Sequence, residues 1–422
     1  MPINKQFQAY MNQVCMLIKN KDVHEEIKLE LYDHLETLKE DAMKSGLSEE
    51  EAIEKTIARM GDADVVGRKL NETHKAKLDL KLLVPVLSIS LFGLFLMYFI
   101  QSNSAVDHIA NAKIFEKSVI YYLLATALMI GLFFMDYRKI LKYTKHIYMG
   151  TVLVLLLTLL FGVRVDGIPY LMLGFASINF TAIVPFLLVV AFAGIFQSWN
   201  WEDNSKLGKG LVMMSLPVFM VATTSLSNTV LCIVVCLAIM VASNAKLKQL
   251  IVFTITVTLL PFLSILMGSN GLSLSEWKNI ELQKTLTSTG FFGNGFTQDL
   301  GTLSEVHTDF VFAYLVISVG WISAATTIIL IALFIGRMLT TAKAAKYSYG
   351  KLLMIGFTAA FSFQFILSIL TNLGLSPLMG VTMPFMSFGG SHILIDMMSV
   401  GLILSVYRRR NLGAISSTKT LA

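Results

Sequence analysis

Repeated apolar runs constrain this chain more than any other feature of its sequence. The chain has 422 residues, of which 55% are hydrophobic and only 15% are charged, and its mean hydropathy is +0.67. Runs of about 20 apolar residues are long enough to cross a bilayer as α-helices. The sequence therefore predicts an all-α, polytopic membrane protein with ten spans: Leu80–Ile100, Ser118–Met135, Ile147–Val163, Ala182–Phe196, Leu211–Thr224, Thr229–Ser243, Leu250–Gly268, Phe310–Gly336, Leu352–Thr371 and Gly390–Tyr407.

Lysine and arginine residues follow every even-numbered span, at 138–145, 206–209, 246–248, 337–351 and 408–410. Basic loops stay on the cytoplasmic side of a membrane. We therefore expect both termini to be cytoplasmic and the loop 269–309 to be external. The net charge of +6 then reflects topology, so membrane lipids are expected as partners and nucleic acid is not.

Residues 1–75 are highly charged and precede the first span, which predicts a separate soluble helical domain. Asp22-x-x-Glu25 and Ser48-x-x-Glu51 have the spacing of capping boxes, which open helices. No nucleophile, metal cluster or glycine-rich loop occurs in this segment, so a regulatory or interaction role is favoured. The stretch EEAIEKTIARMGDADVV resembles the small helical prefix domain of some bacterial permeases. We predict three parts: this domain, a membrane domain over 80–410 and a cytoplasmic tail over 411–422.

A polar stretch at 285–320 interrupts the apolar runs. Its first half carries Gly290, Gly293, Gly295 and Gly301, and its second half reads Ser304-Glu305-Val306-His307-Thr308-Asp309. Glycines at this density favour tight turns and close backbone approach, and ionisable groups beside an apolar span are candidates for site chemistry. The alternative is that Thr308 or Asp309 only caps a helix that starts at Phe310. Before this stretch, Leu272–Leu286 predicts a short surface helix, with an irregular loop as the alternative.

The last two spans are joined by a second irregular stretch, NLGLSPLMGVTMPFMSFGGS, which ends at Ser391. Its prolines and glycines cannot continue a helix. Broken backbone at membrane depth is tolerated where it lines a cavity or is buried in protein, so we expect this loop to face the first. His392 and Asp396 follow one turn apart on one helix face. They are intramembrane site candidates or a structural His–Asp pair, and we expect them to share a hydrogen bond.

Two motifs, HTDF before an apolar span and PFMSFGGS at the start of the last span, resemble the SEDS family of FtsW, RodA and SpoVE proteins. The resemblance covers about residues 80–410. It implies a ten-span glycosyltransferase of the bacterial cell membrane that polymerises lipid II into peptidoglycan beside a class B penicillin-binding protein. The essential aspartate of the family falls on Asp309. Substrate-binding positions are then expected at Glu305, His307, Thr308, Asn372, Ser387, Gly389, Gly390 and Ser391.

The mechanism that this resemblance implies joins two lipid-linked saccharides. Asp309 is expected to act as the base, or to hold a divalent cation, Mg or Mn, beside the reacting groups. Several family positions differ in this chain: two glutamates fall on Ile317 and Ser318, a third on Ala182, an aspartate on Leu226, a serine on His392 and an asparagine on Asp396.

Two other functions stay open alongside the enzyme. Ten spans with broken helices and an intramembrane Asp also suit a transporter for the lipid-linked precursor. A catalytically weak scaffold that recruits a partner for cell-wall synthesis is the third hypothesis.

Overall fold

The computed structural model consists of two units and describes residues 4–73, 78–103, 113–165, 167–173, 176–267, 279–280, 282–296, 306–376 and 381–410. One unit contains the N-terminal helices up to Leu78 together with the residues after Tyr407, and the other extends from Asp79 to Tyr407. The predicted tail at 411–422 and the site candidate Glu305 lie outside the described residues.

The N-terminal unit contains four helices, α1 (Lys5–Met16), α2 (His24–Lys44), α3 (Glu49–Met60) and α4 (Ala63–Thr73). Phe7, Val14 and Leu35 are fully buried in its core. The capping box of Ser48 is present, and its hydrogen bonds to Glu51 hold the pKa of that carboxyl below its usual value. The predicted box at Asp22 is wrong, because a short 3-10 turn takes its place and α2 begins at His24 with Val23 as N-cap.

The second unit is a bundle of apolar helices, which confirms the helical membrane class. Within the described residues, six helices are long and apolar enough to cross a membrane. The main described helices of this unit are α5 (Leu80–Asn103), α6 (Ile114–Phe134), α7 (Thr144–Phe161), α8 (Phe180–Phe196), α9 (Asn204–Ala222), α10 (Leu226–Ala242), α11 (Leu247–Met267), α12 (Val311–Val319), α13 (Trp321–Ala344), α14 (Ser348–Asn372) and α15 (Gly390–Arg408). Several are shorter than a full span, so the count of ten spans stays a prediction.

The eighth predicted span is not one helix. It is broken at Gly320, which has a φ of 100° and separates α12 from α13. The loop at 291–295 packs into the break: Asn294 donates its N–H to the carbonyl of Ile317 (2.8 Å), and Gly295 to that of Ser318 (3.1 Å). These bonds satisfy carbonyls that the end of α12 would otherwise leave without a donor.

A small antiparallel sheet between α7 and α8 is an element that the sequence analysis does not predict. Its strands are β1 (Val163–Val165), β2 (Ile168–Leu173) and β3 (Ala176–Ile178), in that spatial order. The predicted surface helix at Leu272–Leu286 falls partly outside the described residues. Residues 282–286 of it are helical, and the helix continues to residue 287.

Candidate active site

Asp309 lies in a turn that leads into α12. Residues 306–309 form the turn, and the helix begins at Val311 with Phe310 at the N-cap position and no side-chain cap from it. The acceptor for the third amide of the helix is Asn372, whose Oδ1 lies 2.8 Å from the nitrogen of Ala313. The helix therefore starts at Val311, one residue later than the start at Phe310 that the capping alternative assumed. The amide of Ala313 is bound by Asn372, a residue of α14.

Asn372 fixes the backbone at Asp309. Its Nδ2 donates to the carbonyl of Asp309 (2.7 Å) and to that of Ser368 (2.8 Å), while its Oδ1 accepts from Ala313. The side chain is fully buried at the end of α14. A buried amide that is hydrogen-bonded to the backbone in this way positions Asp309, and the expected role of Asn372 in substrate binding stays a prediction.

The two irregular segments meet, as the sequence predicts. Phe388 donates its backbone N–H to the carbonyl of His307 (2.8 Å), and the two rings lie 5.7 Å apart. The 381–389 loop is itself held by Tyr122, whose hydroxyl donates to the carbonyl of Phe385 (2.6 Å). Asp309, His307 and Thr308 are all partly exposed. This turn is therefore accessible while its backbone is hydrogen-bonded to the 381–389 loop.

Ser387 supports the same loop from inside. Its Oγ accepts the N–H of Met383 (2.8 Å), and the residue is only 3% exposed. Phe385, within this turn, has a positive φ of 63°. A buried hydroxyl that caps a strained turn shapes the loop, so Ser387 positions the loop, and its expected contact with substrate stays a prediction.

Glycines around the 381–389 loop allow close packing. A Cβ at Gly390 would lie 2.7 Å from the ring of Tyr121, and one at Gly93 in α5 would lie 2.6 Å from the carbonyl oxygen of Met386. The loop thus packs between α5, α6 and α15, and the expected binding residues Gly389, Gly390 and Ser391 are all partly exposed.

The predicted hydrogen bond between His392 and Asp396 is wrong. His392 Nδ1 lies 3.3 Å from the hydroxyl of Thr382, and Asp396 Oδ2 accepts the N–H of Phe385 at 3.4 Å. Both side chains therefore bind the 381–389 loop, which lies against this helix face and offers backbone and hydroxyl partners. Asp396 is 2% exposed and its Oδ1 is buried without a hydrogen-bond partner, so it contacts the loop through Oδ2 and stays an intramembrane site candidate.

The glycine-rich loop, residues 290–296, approaches the broken span closely. A Cβ at Gly293 would lie 2.5 Å from the carbonyl oxygen of Ser318, so only glycine fits there without a shift of the backbone. Phe296 at the end of this loop stacks on Phe99 of α5, with ring centroids 3.9 Å apart. These contacts connect the loop to the same bundle that carries Asp309.

Comparison with known proteins identifies the family. The profile described as "Cell cycle protein", for FtsW, RodA and SpoVE, matches residues 80–412. The chain belongs to the FtsW/RodA/SpoVE family. A relative from Aliivibrio salmonicida (strain LFI1238), named "Probable peptidoglycan glycosyltransferase FtsW", is 28% identical over 299 residues, which cover 64% of this chain and 74% of the relative.

Solved structures share the fold of this FtsW/RodA/SpoVE member. The crystal structure of the rod shape determining protein RodA from Thermus thermophilus aligns with a TM-score of 0.62 and 20% identity, over 80% of this chain and 98% of RodA. A chain from a peptidoglycan synthase complex that coordinates polymerization and crosslinking aligns with a TM-score of 0.64 and 20% identity, over 79% of this chain and 99% of that one.

A cavity lined by both polar and apolar residues lies beside the 381–389 loop in this family member. Side chains that sequence reasoning did not select line it together with His392 and Ala182: Ser227, Asn228, Gln364 and Thr382. Gln364 donates to the carbonyl of Thr382 (3.2 Å), and its Oε1 is buried without a protein partner. The sequence does contain a signal for Gln364, because a glutamine within an apolar span is unusual and indicates a polar interior.

The residues that differ from the family pattern are accommodated by packing. Ile317 and Ser318 are buried in α12, at 0% and 4% exposure, and their carbonyls receive the bonds of the glycine-rich loop. Ala182 is buried near the start of α8, and Leu226 is the first residue of α10.

No group of three His, Cys, Asp or Glu residues that could hold a metal ion occurs within the part of the chain that the structure describes.

Proposed function

We propose that this chain is a peptidoglycan glycosyltransferase that polymerises lipid II. Its family membership and the name of its relative support this proposal. The single observation that carries it is the placement of Asp309: Asn372 fixes its backbone at the entry to α12, and the 381–389 loop is hydrogen-bonded to the same turn. A carboxylate held in this way on a partly exposed turn is suited to act on a substrate.

In the proposed reaction, a sugar hydroxyl of one lipid-linked saccharide attacks the anomeric carbon of another. A C–O bond to the hydroxyl oxygen forms, the bond to the polyprenyl pyrophosphate breaks, and the hydroxyl proton passes to Asp309. General base catalysis of this kind contributes about 10²–10⁴ in rate. Holding two membrane-anchored substrates in one orientation supplies a further large factor.

A divalent cation, Mg or Mn, is proposed to assist the departing pyrophosphate. Mg²⁺ is commonly held by one or two protein carboxylates together with substrate phosphates, so Asp309 can contribute a ligand without a preformed cluster. Glu305, His307 and Thr308 belong to the same segment and are proposed to bind substrate groups around it. Gly389 and Ser391 are proposed to form the opposite side of this site.

The partner proposed for this protein is a class B penicillin-binding protein, which would cross-link the new glycan. The fold shared with a chain from a peptidoglycan synthase complex supports such a pairing. The basic loops support cytoplasmic termini in the cell membrane. An impermeant thiol reagent should then label a cysteine at Ser288 and not one at Ala344 in intact cells.

The decisive experiment compares the purified chain with its Asp309→Asn variant in a lipid II polymerisation assay with Mg²⁺ or Mn²⁺, with and without the partner. The variant keeps the shape of the side chain and removes its charge, so we expect loss of glycan formation by at least about 10²-fold. Glu116→Gln, an exposed carboxylate at the start of α6, is the matched control and should retain activity.

Undiminished polymerisation by Asp309→Asn would contradict the proposed mechanism. If the unmodified chain forms no glycan under any of these conditions, movement of labelled precursor across the bilayer of proteoliposomes would identify a transporter. Absence of both activities, with binding of the partner, would identify a scaffold.

A further inference from the structure

The first two strands of the sheet between α7 and α8 present an apolar face, to which β3 adds the polar residue Ser177, the partner of Met172. Val163 pairs with Tyr170 and Val165 with Ile168, whereas Arg164 pairs with Pro169. Because side chains alternate between the two faces of a strand and paired residues share a face, Val163, Val165, Ile168, Tyr170 and Met172 lie on the same face. Every residue of β1 and β2 on this face is aliphatic, aromatic or a thioether.

Much of this face is exposed. Val163, Val165 and Met172 are 50%, 45% and 48% exposed, and Ile168 and Tyr170 are partly buried; on the opposite face Pro169 is buried and Arg164 is exposed. Pro169 is also the residue whose Cβ would lie 3.0 Å from a Cβ placed on Gly162 at the end of α7. The sheet therefore rests on the helix end through one face and leaves the apolar face open.

The connection between α7 and β1 is short. Only Gly162 separates them, and its N–H donates to the carbonyl of Thr158 (2.9 Å). A side chain at Gly162 would overlap that same carbonyl oxygen. The first strand therefore begins directly at the end of the span.

The last turns of α7 are also apolar and open. Leu153, Leu160 and Phe161 are 56%, 66% and 75% exposed, and in a membrane span such side chains face lipid. The apolar face of the sheet continues this lipid-facing surface by a few residues along the chain. Continuous apolar surface at the end of a span favours the bilayer interface, where an aromatic residue such as Tyr170 is also commonly found.

From these observations we propose that the sheet is a membrane-surface anchor: its apolar face enters the interfacial layer of the bilayer, with lipid acyl chains as its ligand. Contiguous exposed apolar surface of this kind is typical of a site of membrane or protein interaction. The anchor would fix the ends of α7 and α8 at a defined depth. The proposal does not depend on the catalytic activity of the chain.

Nitroxide labels test this placement residue by residue. Cys15, Cys232 and Cys236 are first replaced by alanine, and single cysteines are then placed at 163, 164, 165 or 172 of the full chain in phosphatidylcholine and phosphatidylglycerol nanodiscs. Collision rates with oxygen, which partitions into lipid, and with a water-soluble nickel chelate are compared. We expect labels at 163, 165 and 172 to show a several-fold higher ratio of oxygen to nickel collisions than the matched control label at 164.

Equal nickel access at 163, 164 and 165 would place the face in water and overturn the proposal. Low access to both probes would show that protein covers it, which also overturns it. If the cysteine-free chain does not fold, the unmodified chain can be irradiated in bilayers that contain a photoactivatable phospholipid. Mass mapping should then find adducts within 163–172 as well as on α7, and adducts on α7 alone would contradict the anchor.

Discussion

The side chain of Asn372 shows how much of the site depends on a single amide. An asparagine side chain can donate two hydrogen bonds and accept two, and Asn372 uses both donors and one acceptor position, toward Asp309, Ser368 and Ala313. Its partners belong to two separate helices. The position of Asp309 relative to α14 is therefore set by a residue 63 positions away in the chain.

Asn372→Asp should separate this positioning role from simple packing. The carboxylate keeps the size of the side chain but loses both donors, and it brings a charge next to two carbonyl oxygens. Each buried group left without its partner costs about 1–3 kcal/mol, so we expect a marked fall in the thermal unfolding temperature and in polymerisation rate.

Asn200→Asp is the matched control for this substitution, because Asn200 acts as an acceptor for the N–H of Glu202 in an exposed turn. It should leave both quantities unchanged. An Asn372→Asp variant with normal stability and turnover would contradict the positioning role.

At the residue level, sequence motifs indicate which side chains lie near Asp309 but not which atoms they bind. Asn372 and Ser387 were placed correctly in the vicinity of Asp309, but their polar atoms bind the protein backbone. The pairing of His392 with Asp396 was derived from helix spacing alone. Spacing cannot show that the 381–389 loop covers that helix face and supplies competing partners.

At the level of elements, the break between α12 and α13 could not be predicted, because it lies within a continuous apolar run. Glycine is common in membrane helices, so Gly320 alone does not predict a break within Phe310–Gly336. The break is stabilised by amides of the glycine-rich loop, which bind the carbonyls of Ile317 and Ser318. The local sequence around Gly320 cannot show this contact, because its two sides lie more than 20 residues apart in the chain. The short strands β1 and β3 were missed for a different reason: three residues are too few for a periodic pattern.

Gly320→Ala tests the break directly. Gly320 has a φ of 100°, and a Cβ there would overlap the carbonyl oxygen of Phe291. Both effects oppose a side chain, so we expect a loss of about 1–3 kcal/mol in stability and a loss of activity as the glycine-rich loop shifts.

Gly336→Ala provides the control, because this glycine lies inside α13 with open space around it. Alanine there should be neutral or should stabilise the helix by roughly 0.5–1 kcal/mol. Equal thermal unfolding temperatures for the two variants would show that the break is not required for the fold.

On the scale of the whole molecule, the chain combines a membrane unit that carries every candidate site residue with an N-terminal unit that has its own core. Composition and charge predicted this division because a highly charged segment cannot share a bilayer with apolar spans. The function of the N-terminal unit could not be predicted, since its helices contain buried packing residues and surface charges but no recognisable chemistry.

The boundary of the membrane unit is marked by a polar contact at Asp79. Its carboxylate accepts from Arg337 Nε (2.7 Å), and Arg337 also donates to the hydroxyl of Tyr407 (2.9 Å). The carboxylate side chain is only 2% exposed and the arginine 28%. This group connects the residue before α5 to α13 and α15, so the bundle is complete only when Asp79 is present.

A chain that begins at Lys75 should therefore insert into membranes, unfold near the temperature of the full chain and keep its polymerisation rate, because it retains Asp79 and every candidate site residue. A chain that begins at Leu80 should be less stable by about 3 kcal/mol, since removal of one partner leaves the other charge partly buried without its counter-ion. Thermal unfolding in detergent and the lipid II assay measure both effects. If the Lys75 chain inserts and folds but no longer forms glycan, the N-terminal unit takes part in catalysis. If the Leu80 chain is as stable as the Lys75 chain, the contact between Asp79 and Arg337 does not support the bundle.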